Sequence, residues 1–221
     1  MRRSLFSCLS CPLVLLVLLS ASASAQFYSY PAFQIPEIAQ RDFNFAVADA
    51  GRAGTSLLVQ WREGLGQRQE LRLDAGLVDV DGPGASTHLI LGGSWAYQLH
   101  NGSSDVPFAL QLTLGAGGSF GDGQSLLRVP VGLSIGHRFA LDGGVSIMPF
   151  AHPRLSLDRC SSCGPGGDSD TDLGVDVDLG VDVRVSPVIA FRAAFLLGGS
   201  DFQGKRDAVG LGLAWTPPSL R

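Results

Sequence analysis

Between Thr171 and Val185 the chain reads TDLGVDVDLGVDVRV. Leu173, Val175, Val177, Leu179, Val181, Val183 and Val185 take the odd positions; Asp172, Gly174, Asp176, Asp178, Gly180, Asp182 and Arg184 take the even ones. A period of two puts every apolar side chain on one face of a strand and excludes a helix. At about 3.3 Å per residue, fifteen residues extend roughly 50 Å. Tilted about 45°, such a strand crosses a bilayer core of about 30 Å.

The alternation recurs along the chain. Turn-forming residues divide it into ten segments, 42–50, 55–63, 68–81, 86–99, 107–120, 125–139, 144–158, 171–185, 187–199 and 206–216. In 107–120, Phe108, Leu110, Leu112, Leu114, Ala116 and Phe120 oppose Gln111, Thr113, Gly115, Gly117 and Ser119. In 125–139, Leu127, Val129, Val131, Leu133, Ile135 and Phe139 oppose Arg128, Pro130, Gly132, Ser134, Gly136 and Arg138. The first two segments are the least regular, and 42–50 also reads as part of the arm that precedes it. An up-and-down barrel with both termini on one side has an even strand count, short turns on that side and longer loops on the other. Ten strands put the 159–170 stretch on the outer side and the tight turn at 185–187 on the inner side; nine would exchange them. The expected fold is therefore all-β, a single antiparallel up-and-down transmembrane β-barrel of ten strands, with eight as the fallback.

Alternation alone does not say which face meets lipid. A soluble lipocalin-like barrel would hold the valines inside and the aspartates in water. The polar face decides for the membrane, because it carries Gly, Ala, Ser and Arg where a water-facing sheet carries Lys, Glu and Thr. Small residues suit a narrow lumen in which side chains from opposite walls meet. Arg62, Glu70, Arg72, Asp74, Arg128, Arg154, Asp176, Asp178, Asp182, Arg184 and Arg192 then share the lumen, and their mixed signs predict a network of Arg–carboxylate pairs. Trp61, Trp95, Tyr97, Phe120, Phe139 and Trp215 fall towards segment ends, as residues of an interfacial aromatic girdle do.

The N-terminus adds a compartment. Arg2 and Arg3 precede the apolar run 13–19, and Ala23-Ser24-Ala25 is a small-x-small cleavage site, so residues 1–25 read as a signal peptide. No run approaches the ~18 apolar residues of a membrane-spanning helix. Residues 26–41, aromatic and Pro-bearing without periodicity, read as a periplasmic N-terminal arm that reaches into the barrel mouth. The barrel follows over 42–216, and 217–221 form a tail. The signal segment holds two of the 16 basic residues and none of the 20 acidic ones, which leaves a formal charge of −6 on the mature chain. Nothing in that balance calls for a nucleic-acid partner. With 29 Gly and 12 Pro, little of the chain favours helix.

On these patterns the chain resembles the small outer-membrane β-barrel proteins of diderm bacteria, the OmpA/OmpX-like and porin-like group. The closing stretch Val209-Gly210-Leu211-Gly212-Leu213-Ala214-Trp215 looks like the C-terminal assembly signal of that group, although six residues follow the aromatic here. The resemblance implies an outer-membrane location, outer-membrane lipid and the assembly machinery as partners, and a monomer. The group holds envelope-stabilising proteins, adhesins, narrow channels and a few lipid-modifying enzymes, so it does not choose a function.

The remaining candidate chemistry is sparse. Cys160 and Cys163 are the only cysteines after the signal segment, and an oxidising compartment favours a local disulfide that stiffens the loop. Asp168, Asp170 and Asp172 have calcium-loop spacing, but Leu173 stands where such a loop needs Gly, so no metal is expected. His88, His100, His137 and His152 are scattered, with no G-x-S-x-G motif beside them; His152 and Arg154 should pair with lumen carboxylates. The expected function is non-enzymatic and without cofactor: a largely plugged barrel with an envelope-structural or surface-interaction role. A narrow channel for small solutes is the alternative.

Overall fold

The structure is a computed structural model, and it describes residues 33–50, 54–80, 86–103, 106–121, 123–162, 168–199 and 207–218. Its strands are β1 (Arg41–Asp49), β2 (Thr55–Gly64), β3 (Gln69–Asp79), β4 (Thr87–Asn101), β5 (Ala109–Gly121), β6 (Gln124–Gly136), β7 (Phe139–Ala140), β8 (Ser146–Ser161), β9 (Asp170–Arg184), β10 (Ile189–Gly199) and β11 (Ala208–Trp215). All pairings are antiparallel. β1 pairs with β11, and β6 pairs with β8, which closes the sheet into a tube. The two-residue β7 continues the wall of β6 after a break at 137–138 and pairs with the same strand, β8. The barrel therefore has ten walls, the number read from the sequence.

The irregular segment 42–50 is a full barrel strand, β1, whose Phe43 pairs with both Trp61 and Trp215. Phe43 and Trp215 stack with ring centroids 5.8 Å apart across the seam between first and last strands, a contact worth about 0.5–1.5 kcal/mol beyond its buried area. The rim where the chain enters β1 and leaves β11 is called proximal below, and the other distal. The tight turn at 185–188 is proximal, closed by a hydrogen bond from Val185 N to Ile189 O at 3.1 Å.

Strand ends differ from the sequence segments by a few residues, and two distal connections change most. β8 runs to Ser161, so the distal connection that follows is 162–169 and Cys160 belongs to the strand. Gly121 at the end of β5 pairs with Gln124 at the start of β6, so this distal connection is shorter than the 121–124 gap between the two sequence segments; Gly123, at φ 72°, takes the left-handed conformation that suits a tight turn.

Burial runs opposite to that of a soluble barrel. Leu57, Val59, Leu73, Leu77, Leu114, Val129, Val175, Phe191, Phe195 and Leu211 are exposed on the outside. Asp42, Arg62, Glu70, Arg72, Arg128, Asp158, Asp182 and Arg192 are buried inside. No helix among the described residues is long and apolar enough to cross a membrane; the strands form the apolar exterior instead.

The inside is not uniformly polar. Ala48, Leu58, Val78, Ile90, Leu126, Cys160, Leu196 and Ala208 point inward near the distal rim and join the hydrophobic core cluster of the barrel. At the other end, residues 33–37 lie within the lumen; Phe33, Gln34 and Ile35 are almost wholly buried. The 26–41 stretch, read as a periplasmic arm reaching the mouth, thus has residues 33–37 inside the barrel and its last residue, Arg41, in β1, and residues 26–32 lie outside the described residues. So do residues 1–25, the expected signal peptide.

Candidate functional site

Strand register determines what the lumen side chains can reach. Residues directly opposite each other on antiparallel strands hold their Cβ atoms about 4.5–5.5 Å apart. Asp42 faces Arg62, and Arg192 faces Asp182, across neighbouring strands. The arm then enters between these walls and joins their charges.

The result is a ring of alternating sign in the proximal half. Arg72 Nε donates to Glu70. Glu70 also accepts from Arg62 Nε and Nη2 at 2.9 and 3.0 Å. Arg62 lies 3.7 Å from Asp42, which takes a 2.6 Å bond from Arg192 Nη2. Arg192 Nε donates to Asp182 at 3.0 Å. Asp182 accepts from Arg138 at 3.2 Å, and Arg138 forks onto the Glu37 carboxylate of the arm at 2.6 and 2.8 Å. Four guanidinium groups and four carboxylates are linked in this way, so the ring is neutral. The strength of such a pair lies in its completeness: a buried charge left without its partner costs several kcal/mol.

A second network occupies one wall, from β5 to β9. Arg128 is bidentate to Asp158 at 2.8 and 2.6 Å and lies 3.8 Å from Asp176. Arg154 contacts Asp178 and lies 3.4 Å from Asp176. Ser156 Oγ donates to Asp176 at 3.1 Å. His152 joins Asp178 through Nδ1 at 3.2 Å and Thr113 Oγ1 through Nε2 at 2.9 Å. The order hydroxyl, imidazole, carboxylate is that of a nucleophilic triad. Here Arg154 shares the same Asp178 oxygen and His152 is fully buried, so the arrangement cross-links β5, β8 and β9.

Of the eleven lumen charges named from the sequence, Arg62, Glu70, Arg72, Asp182 and Arg192 meet in the ring, and Arg128, Arg154, Asp176 and Asp178 meet on the wall. Asp74 joins neither and takes a 2.8 Å bond from Gln60. Arg184 stands half-buried at the proximal mouth, beside a cavity of about 240 Å³, and forms no ion pair among the described residues. The sequence reading did not single out Glu37, Asp42, Arg138 or Asp158. Asp42 opens the segment 42–50 and was legible as the residue opposite Arg62 once the register of that segment with 55–63 is fixed. Asp158 shares a strand face with Arg154 and His152. Glu37 lies in a stretch without periodicity and carries no such signal.

The girdle is one-sided. Trp61, Trp95, Tyr97, Phe139 and Trp215 gather at the proximal rim, Trp95 and Tyr97 with ring centroids 5.9 Å apart. Phe120 alone of the six ends a strand at the distal rim, opposite Leu89. Cys160, expected in an outer loop, instead faces the lumen and is 1 % exposed, packed in the distal apolar cluster; Cys163 lies outside the described residues. Asp170 and Asp172 are in β9 and Asp168 precedes it. Among the described residues no group of three or more His, Cys, Asp or Glu has the geometry to hold a metal ion.

A closed antiparallel tube with an apolar exterior and a charged, hydrogen-bonded interior is a membrane-spanning β-barrel of the outer-membrane type. No protein-family model matches this chain, and no curated protein does. Among solved structures it is similar to the β domain of the Bordetella autotransporter BrkA, with a TM-score of 0.46 and 14% identity over 80% of this chain and 98% of that one. It is similar to LpxR from Salmonella typhimurium, with a TM-score of 0.45 and 11% identity over 85% and 78%. The KdgM porin gives a TM-score of 0.39 and 4% identity over 80% and 99%. These are outer-membrane barrels, and at such scores the likeness transfers no function.

Proposed function

We propose that this protein is a non-enzymatic outer-membrane barrel with a closed lumen, serving a structural or surface-interaction role in the cell envelope. The observation that carries this reading is that the described lumen is obstructed at both ends. Residues 33–37 and the ionic ring fill the proximal half, and the inward Leu58, Val78, Ile90, Leu126 and Leu196 fill the distal one. A barrel of about this strand number has an interior that side chains fill; aqueous channels belong to barrels of about 16 strands.

The chain is exported through a cleaved segment ending at Ala25, inserts with the help of the assembly machinery, meets outer-membrane lipid with its apolar face and works as a monomer. Cys160 and Cys163 are oxidised to each other. Planar-bilayer recording of the purified full chain is the test. Rare or absent conductance steps are expected; a large, steady conductance overturns the closed-lumen reading.

One observation favours the narrow-channel alternative. Gly92, Gly115 and Gly117 leave part of the β4–β5 inner wall without side chains. Small, ion-selective currents in the same recordings would select that reading.

A further inference from the structure

Four consecutive carbonyls of the arm are each taken by a side chain from a different strand. Ser134 Oγ of β6 donates to Gln34 O. Arg72 Nη2 of β3 donates to Ile35 O at 3.4 Å, Gln98 Nε2 of β4 to Pro36 O at 3.0 Å, and Arg62 Nη2 of β2 to Glu37 O at 2.7 Å. Beyond them Ala39 N donates to Glu70 at 2.6 Å, and Gln40 O accepts from Gly64 N at 3.0 Å. None of these six bonds involves a side chain of the arm.

Three alternate side chains, Phe33, Ile35 and Glu37, are held by specific partners, while Gln34 between them is buried without a hydrogen-bond partner for its amide among the described residues. Phe33 lies over Gly212, where an added Cβ would stand 2.9 Å from its ring and 2.8 Å from Asn44 Oδ1, so any larger residue would displace it. Ile35 is buried, and the Glu37 carboxylate takes its three hydrogen bonds from Arg138. Main-chain bonds for affinity, with alternate pockets for specificity, is how proteins bind extended peptides.

We propose that the proximal half of the lumen is a binding site for an extended peptide segment, which residues 33–40 occupy in cis. Its preferred ligand carries an aromatic residue, an aliphatic residue two positions on and an acidic residue two further. The proposal rests on the closed-lumen reading only in taking the arm as the resident of the site. Because the arm joins β1 directly, its effective concentration is of order millimolar or above. A peptide offered in trans therefore competes only when the arm is weakened.

The test uses the full chain in detergent micelles and a labelled synthetic peptide of residues 33–40, FQIPEIAQ. In one variant, Phe33→Ser, Ile35→Ser and Glu37→Gln change the arm and leave the barrel intact. Gel migration of unboiled samples checks that both chains are folded. Saturable binding is expected to the arm variant, at least tenfold tighter than to the wild type. Adding Arg138→Gln should weaken binding of FQIPEIAQ about tenfold while leaving FQIPQIAQ unaffected.

No saturable binding by the folded arm variant overturns the proposal, as does indifference to Arg138→Gln. If the triple change prevents folding, Glu37→Gln alone serves, with the native peptide expected to bind it about tenfold tighter than the wild type; equal affinity overturns the proposal. Conductance recordings on the same variants separate the two readings. A closed wild type without peptide binding in the variant removes the site and leaves the closed lumen standing.

Discussion

In the reading proposed above, the two halves of this lumen are closed by different means. The proximal half is filled by a separate stretch of chain, whose Glu37 joins four arginines and three carboxylates of the wall. The distal half is filled by aliphatic side chains of the walls themselves, with Val78, Ile90 and Leu126 fully buried. An ionic clasp is directional and needs every partner in place. An aliphatic filling is non-directional, and its contribution follows the area removed from water. The proximal closure is thus separable from the barrel in principle, whereas the distal one is part of it.

The largest expected effect comes from breaking the clasp within the wall. Arg192→Leu leaves Asp42 with only the more distant Arg62 and removes one of the two partners of Asp182. A loss of about 3–5 kcal/mol is expected from stranding buried carboxylates, read as a lower urea midpoint for the vesicle-inserted barrel. Unchanged stability would mean that water already solvates that layer.

On the distal side, Ile90→Ala should cost about 2–5 kcal/mol, the usual range for truncating a core aliphatic, without raising conductance, since the arm still closes the other end. Combined with the weakened arm, the same change should give measurable current. Current from Ile90→Ala alone would show that the arm is not a seal. Outside both closures, Val177→Arg places a cation on the lipid face and should cost about 2–4 kcal/mol near the membrane midplane. Asp176→Asn on the adjacent lumen face should cost less, and equal tolerance in an assembly assay would invert the two faces. The smallest effect is expected from replacing Cys160 and Cys163 by Ser. Opening so small a loop should cost about 2 kcal/mol or less, and the barrel should still show heat-modifiable migration.

Much of this contrast was readable from the residues. Strict alternation in β9 and β11 identified the faces because the apolar positions there are separated by Gly, Asp or Ala. Five of the ring charges, Arg62, Glu70, Arg72, Asp182 and Arg192, were readable for the same reason, since charged residues at lumen positions stand out against the apolar set. The distal filling was not seen, because an inward aliphatic beside outward ones erases the period. Yet Leu57-Leu58, Leu77-Val78, Leu89-Ile90, Leu126-Leu127 and Leu196-Leu197 all lie near distal strand ends. Such doublets are the local mark of an apolar cap inside a polar tube. Phe120 was grouped with the other aromatics because each ends a segment. Counting strand direction separates it, since an odd strand ends at the rim where even ones begin. The path of the arm was beyond reach, because its bonds are to carbonyls that every sequence possesses.

The one-sided girdle has a consequence for how the barrel sits in bilayers of different thickness. Indole and phenol rings hold a fixed depth at the lipid–water boundary, and here Trp61, Trp95, Tyr97 and Trp215, those among the described residues, hold the proximal rim. The distal rim, edged by Phe120 and Leu89, lacks a matching set among the described residues. Accommodation to a longer or shorter acyl chain, which costs fractions of a kcal/mol per Å of mismatch, should therefore be taken up asymmetrically. The proximal interface stays fixed while the distal edge rises or sinks. In vesicles of graded lipid length, Trp61, Trp95 and Trp215 should keep a constant emission maximum, while a polarity-sensitive probe at position 123 shifts with each added pair of methylenes.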